Sequence, residues 1–402
     1  MNILFLSIVR FNDINDSGIY TDLMRKFKLE GHAIYVASPA ERRFKEATSL
    51  SIKDGVSLLK IKTLNIQKTN FIEKGFATIT LEGQFLRQIK KHYQHIKFDL
   101  VLYSTPPITF SRVVSYIKQK DNAKSYLLLK DIFPQNAVDL GMLKKTGLLY
   151  RYFRNKEKKL YALSDYIGCM SPANKKFVID HNPTINPAKV EVNPNSISPR
   201  EMEITDKEQA EIRATYGIPL SATVFVYGGN LGKPQGIDFL VEVLVSNQAS
   251  PNAFFVIVGD GTEFPAIQEA INKHHFGNVL LLKSLPKEQY DRLVLACDVG
   301  LIFLHRSFTI PNYPSRLLSY MEAKMPVLAA TDKRTDIGEI MVKNGYGLWA
   351  ESGNLNEFNK NMAVFLKDKD KLKEMGVKSY AYLLANYQVS NSYQIIIEKL
   401  DV

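Results

Sequence analysis

Short runs of β-branched and aliphatic residues alternate with longer amphipathic stretches twice along this chain, and that alternation constrains the fold more than any other feature. Strands buried on both faces read as near-continuous apolar runs, and the helices that cross between them read with a 3.6-residue period. The first series predicts strands at 2–8, 33–37, 99–103, 125–129 and 166–170. The second predicts strands at 222–228, 253–258, 279–282, 298–303 and 326–330. Each series suffices for one doubly wound parallel sheet. Between them runs HNPTINPAKVEVNPNSISPREMEITDKEQAEI, residues 181–212, whose prolines and asparagines continue neither element, and it reads as a linker. A length of 402 residues also exceeds what one core supports. The expected fold class is α/β, with two Rossmann-like domains over 1–195 and 196–385 facing one another across a cleft.

Composition narrows the function classes. The apolar fraction of 45% is that of a globular protein. Cys169 and Cys297 both lie in apolar surroundings, as buried thiols in a reducing compartment do. The opening MNILFLSIVRF has no basic leader, its apolar run is strand-length, and no run of about 20 apolar residues follows anywhere. A formal charge of +11 points to an anionic partner. Nucleic acid fits poorly, since no recognised motif is present and the basic residues adjoin leucines.

In FVYGGNLGKPQGIDFL, residues 225–240, a strand breaks into glycines before a helix near Ile237. Gly229, Asn230 and Gly232 let backbone approach an anion outside a strand's carboxyl end, and Lys233 adds a point charge. The same turn serves equally as a strand-to-helix connection with glycines for geometry alone. In TIPNYPSRLLSYMEAKMPVLAA, 309–330, Ser315 and Arg316 occupy the first helical turn. Arginine there opposes the helix dipole, which a bound anion explains better than local stability; a surface carboxylate is the alternative partner. VIVGDGTEFPAI, 256–267, adds Gly259 and Gly261 at a third strand end. Three such ends on one sheet edge make a nucleotide site.

With GNLGKPQG, VGDG, PSRLLSYMEAKMPVLA and KDIFPQNAVDLGML in place, the sequence resembles the family 4 retaining glycosyltransferases of the two-domain GT-B fold. KDIFPQNAVDLGML, 130–143, is similar to a motif of bacterial capsule and O-antigen transferases that move N-acetyl-fucosamine and related amino sugars. The resemblance implies a UDP-sugar donor, an undecaprenyl-pyrophosphate-linked acceptor, retention, no metal or other cofactor, and a C-terminal segment, 386–402, that crosses back onto the first domain. Many members carry an arginine after the first loop glycine and a lysine before the last; here those positions are Asn230 and Gln235. Many also carry two glutamates where this chain has Pro311 and Ser319, and Glu322, one turn on, either reaches the donor ribose in their place or is an exposed helix carboxylate.

The diphosphate leaving group needs fixed positive charge, assigned to Lys233 and Arg316 with the helix N-termini beside them. Ser315, which can cap its helix or bind an anion, joins the donor set with Ser319 and with His305, which either touches the donor or is a hydrogen-bonded surface histidine. On the acceptor side, Asp131 ends an apolar strand, where a carboxylate can orient or deprotonate a hydroxyl, or cap the neighbouring loop. Lys130, Ser104 of the Ser104–Pro107 strand end, and Gly18 of the Asn15–Gly18 loop complete that set. The only DxD match, Asp368–Asp370, lies in a lysine-rich helical stretch and reads as a solvated face; no metal site is expected.

GMLKKTGLLYRYFRNKEKKLYAL, 141–163, interleaves Lys144, Lys145, Arg151, Phe153, Arg154, Lys158 and Lys159 with leucines and tyrosines. That mixture suits an anionic membrane surface, as does 71–97; an ordinary helix packing its apolar stripe on the core is the alternative. The expected location is the inner face of a bacterial plasma membrane. A non-hydrolysing UDP-sugar 2-epimerase and a non-catalytic nucleotide-sugar-binding subunit remain open on the same architecture. An NAD-dependent oxidoreductase is a weaker fourth reading, because GxGxxG with a following ribose acid is not met at either domain's first loop.

Overall fold

The structure, a computed structural model, describes residues 1–66 and 71–400, the side chains of 71, 72, 74 and 75 excepted. It forms two compact units, Met1–Ser198 with Gln388–Val402, and Pro199–Tyr387.

The first unit opens with β1 (Asn2–Leu6), α1 (Ile19–Leu29), β2 (Ala33–Glu41), β3 (Ser49–Lys53), β4 (Val56–Thr63) and α2 (Phe71–Tyr93). It continues through β5 (Leu100–Ser104), α3 (Ser111–Asp121), β6 (Lys124–Leu129), α4 (Gln135–Asp139), α5 (Leu148–Leu163), β7 (Tyr166–Cys169), α6 (Pro172–Asp180) and β8 (Val190–Val192). These strands form one sheet in the order β3-β4-β2-β1-β5-β6-β7-β8. Only the β3–β4 pair is antiparallel. Strand order reverses between β1 and β5, the crevice where open α/β sheets bind ligands. Phe5, Leu102, Tyr126 and Leu128 from the strands meet Leu23, Met24 and Phe27 of α1 in the core.

The second unit contains α7 (Asp206–Thr215), β9 (Thr223–Gly228), α8 (Ile237–Ser246), β10 (Ala253–Val258), α9 (Phe264–His274), β11 (Val279–Leu282) and α10 (Lys287–Leu295). It ends with β12 (Val299–Phe303), α11 (Arg316–Glu322), β13 (Val327–Thr331), α12 (Ile337–Lys343), β14 (Gly347–Glu351), α13 (Leu355–Lys367) and α14 (Lys369–Asn386). Its sheet, β11-β10-β9-β12-β13-β14, is parallel throughout and reverses between β9 and β12. Phe225, Phe255, Phe303 and Phe239 pack at its centre. The chain then returns to the first unit as α15 (Val389–Ile397).

The sequence reading lacks β3, β4, β8, α7 and β14. β3 and β4 form a hairpin on Asp54 and Gly55, both at positive φ, as an Asp-Gly two-residue turn requires. The 181–212 segment holds β8, a three-residue strand paired with β7, and α7, started by a capping box of Thr205 and Glu208. β14 is a further edge strand. The segment expected to cross back from 386 joins the first unit at Gln388; residues 401–402 lie outside the described residues.

α15 is fastened to the first unit by polar and aromatic contacts. Val389 N donates to Ile197 O at 2.8 Å, Ser392 Oγ to buried Asn193 Oδ1 at 2.7 Å, and the Tyr393 ring meets Phe27 edge-on at 4.9 Å. Both ends of the second unit are fastened to one stretch of it. Near its start, Arg200 pairs with Glu322 at the end of α11, and at its end the Tyr387 hydroxyl bonds that of Tyr313, just before α11.

Candidate active site

The second unit builds its carboxyl edge from backbone. Gly229 N donates to Val258 O at 2.9 Å, Leu231 N to Asp260 O at 2.9 Å, and Glu263 N returns to Leu231 O at 2.9 Å. The loops after β9 and β10 therefore lie backbone on backbone. A Cβ at Gly259 would stand 1.8 Å from Gly229 O, and one at Gly261 2.1 Å from Leu231 O. The glycines at 259 and 261 are thus required by the neighbouring loop. Gly229, at φ 126, and Gly236, at φ 55, need the freedom only glycine has. Lys233 opens a single 3₁₀ turn and is exposed. His305 is seated beside this turn: its N–H donates to Pro234 O at 2.9 Å, and its Nδ1 accepts from Ser307 N at 3.3 Å.

Asn230 and Gln235 bond each other, Nδ2 to Oε1 at 3.0 Å. Gly232 lies against that pair. Positive charge comes from Arg316. Its guanidinium lies 4.2 Å above the Tyr227 ring, and its Nη2 would stand 3.5 Å from a Cβ at Gly229. Its Nη1 is buried without a hydrogen-bond partner. Tyr320, one turn later on α11, accepts from Gly228 N at 3.1 Å and donates to Leu301 O at 3.2 Å, joining β9 to β12. Tyr290 of α10 covers Gly228, where a Cβ would stand 1.9 Å from its hydroxyl. Burial pushes the Tyr290 phenol up to about 12, with Arg316 pulling the other way. Sequence reasoning missed Tyr227, Tyr290 and Tyr320.

Ser315 is exposed and makes no cap bond, and Ser319 is half-buried. The Glu322 carboxylate is already paired within the fold. It is buried, and its Oε1 accepts from Arg200 N at 2.9 Å and Nε at 3.3 Å; Arg200 Nη2 also bonds Asp291 Oδ2 at 2.9 Å. An arginine 122 residues away takes the carboxylate that the sequence offered to a ribose.

The first unit builds its edge from side chains. Thr105, after β5, accepts from Lys130 N at 3.0 Å and Asp131 N at 3.2 Å, and donates to Asp131 O at 3.0 Å. Asn136 Nδ2 donates to both carboxylate oxygens of Asp131, at 2.9 and 2.8 Å. Lys130 Nζ bonds Asn193 O at 3.3 Å, and burial lowers its ammonium to about 7, Cys169 acting the other way. Ser104 is buried and bonds the Tyr20 phenol of α1, so it supports the edge rather than lining it. Gly18 caps α1 in extended backbone and accepts from Thr21 Oγ1 at 2.9 Å.

On α5, Lys144 and Lys145 before it and Arg151, Lys158 and Lys159 within it are exposed, beside Leu148 at 83% and Leu149 at 59%. Arg154 and Phe153 do not belong to that surface. Arg154 pairs with buried Glu157 at 2.5 Å and donates to His181 O and Asn182 Oδ1, both at 2.7 Å. Phe153 meets Phe133 at 5.0 Å, tying α5 to the Asp131 loop. On α2, Phe76 and Ile79 are exposed, and Glu82 faces Lys156 of α5 at 3.7 Å. No helix among the described residues is long and apolar enough to cross a membrane. Asp368, of the DxD match, caps α14 through Lys371 N at 3.0 Å.

Residues 208–382 match the family described as glycosyl transferases group 1. The chain is 26% identical to the probable glycosyltransferase WbjE of Pseudomonas aeruginosa over 287 residues, 70% of this chain and 68% of that one. In fold it is similar to sucrose-phosphate synthase from Thermosynechococcus elongatus, with TM-score 0.77 at 13% identity over 99% of this chain and 97% of the other. It is also similar to Anabaena HepE solved with UDP and glucose, with TM-score 0.71 at 17% identity over 100% and 99% of the two chains. The match to the group 1 glycosyl transferase model thus falls within the second unit, in a chain whose two parallel-sheet α/β domains have the GT-B fold.

Proposed function

We propose that this chain moves a sugar from a UDP-sugar to a lipid-pyrophosphate-linked saccharide during capsule or O-antigen assembly. The observation that carries the donor half is Arg316, whose buried Nη1 has no partner and whose guanidinium lies beside Gly229. Leaving such a donor unpaired costs about 1–3 kcal/mol, more for a charged group, and a diphosphate oxygen repays it. The UDP held by HepE supports the nucleotide. Lys233, Ser315, Ser319 and His305 complete the donor set.

In the transfer, the bond from the anomeric carbon to the diphosphate oxygen breaks and its electron pair leaves with UDP. The acceptor oxygen bonds the same face of that carbon, so configuration is retained, and its proton passes to the leaving phosphate oxygen. Asp131 orients the acceptor hydroxyl, with Lys130 and Gly18 beside it. Arg316 and Lys233 stabilise the departing charge, so no metal is required. The sugar we favour is an N-acetylated amino or deoxyamino sugar such as N-acetyl-fucosamine. Leu148, Leu149, Tyr152 and the exposed lysines around them suit attachment to the anionic inner face of the plasma membrane.

Calorimetric titration with UDP, in EDTA and in magnesium, tests the donor half. UDP binding unchanged by EDTA and weakened by Arg316→Ala is expected; binding indifferent to Arg316 overturns it. Proton NMR of the product's anomeric signal reads retention. Flotation with phosphatidylglycerol vesicles, reduced in Leu148→Ser/Leu149→Ser, reads the membrane surface.

A further inference from the structure

Asp131 is held from two sides by residues with no other evident task. Thr105, 1% exposed, makes three hydrogen bonds to the backbone of residues 130 and 131 through one hydroxyl. Asn136, the second residue of α4, turns its amide N–H groups onto both carboxylate oxygens. The neighbour accepts only, so the amide must face it with nitrogen, which leaves Asn136 Oδ1 buried and without a partner. A buried acceptor left unpaired destabilises a fold, so Asn136 is poorly explained by stability alone. Phe133, between the two contacts, is fixed against Phe153 of α5.

We infer that Thr105 and Asn136 are positioning residues that fix the Asp131 carboxylate in one orientation for the acceptor hydroxyl. This rests on the acceptor role proposed for Asp131. The bonds from Asn136 also favour the charged carboxylate, which the groups around it do not do uniformly. Glu157 of α5 opposes it, Arg154 offsets Glu157, Lys130 is adjacent, and Asp139 lies on α4.

The test combines ligand-free titration with a mutant cycle on the full chain. Protein labelled with [13C]carboxyl aspartate is titrated by NMR, the Asp131 signal being assigned by its loss in Asp131→Asn. In Asn136→Leu its midpoint rises by about one pH unit, while the melting temperature stays within a few degrees of wild type. An unchanged midpoint overturns the inference. UDP release is then followed with UDP-N-acetylglucosamine, UDP-N-acetylgalactosamine and UDP-glucose and undecaprenyl-pyrophosphoryl-N-acetylglucosamine in detergent. Thr105→Val and Asn136→Leu lower kcat about tenfold or more without changing UDP affinity, and neither lowers it further in an Asp131→Asn background. Losses that multiply in that background overturn the inference. Full turnover by Asp131→Asn alone sinks the acceptor role of Asp131 instead, whatever the midpoint shows.

Discussion

The carboxyl edges of the two sheets are built on opposite plans. In the second unit glycines bring peptide groups together, side chains are pared away, and the cation Arg316 is left with a buried N–H unsatisfied. In the first unit side chains do the holding: Thr105 and Asn136 satisfy Asp131, and Asn193 satisfies Lys130. An edge that waits for a ligand to complete its hydrogen bonds should bind tightly and be indifferent to most side-chain changes. An edge that completes its own bonds should present a fixed group and depend on its neighbours.

The sharpest way to break this contrast is steric. Gly259→Ala drives a methyl against Gly229 O and should cost about 3 kcal/mol, read as a fall in melting temperature. Gly18→Ala, in extended backbone with only Thr21 Oγ1 nearby at 3.2 Å, should cost under about 1 kcal/mol. Equal losses would remove the distinction between the two edges.

Next in size, Arg316→Ala should weaken UDP binding by about a hundredfold in calorimetry, and Arg316→Lys should restore little, since an ammonium lacks the planar fork. Asp131→Asn should leave UDP affinity unchanged.

A smaller effect separates fold from site within the second unit. Arg200→Ala takes the guanidinium from buried Glu322, which keeps only the backbone N–H of residue 200, while Asp291 keeps Lys287; it should cost about 2 kcal/mol in thermal unfolding, with UDP affinity kept. A parallel loss of UDP affinity would return Glu322 to the donor site.

The smallest expected effect depends on pH. Lys130 falls from its ordinary 10.5 to about 7 in the folded chain, so between those values the unfolded chain holds a proton that the folded one lacks. Wild-type stability therefore gains from this group as pH rises from about 7 towards 10.5. Lys130→Met, which removes the burial cost, should melt higher than wild type at pH 6–7, and the advantage should fade as pH approaches 10.

What the sequence made legible follows the same division. Parallel strands buried on both faces read as apolar runs, and so β1, β2, β5 to β7 and β9 to β13 were visible. β8 has too few residues for any period to appear, while the Asp54-Gly55 hairpin carried a turn signal that helical and parallel-strand patterns overshadowed. The glycine loop and Arg316 were readable because they lie within one local motif each. Glu322 was misread because its partner, Arg200, is remote in the chain, and Arg154 because Asn182 and His181 are. Asn136 was in plain view five residues after Asp131, but only the turn at Pro134 reveals that the two side chains meet.

One feature of the second unit bears on how the chain is strung. The stretch 313–322 carries Arg316 at its middle, and its two flanks are latched to Tyr387 and Arg200, next to the points where the polypeptide leaves and enters the unit. Mechanically, this stretch is a crossbar with both ropes tied to it. A load on Arg316 is thus shared between both flanks of the stretch, through Tyr313 to Tyr387 and through Glu322 to Arg200.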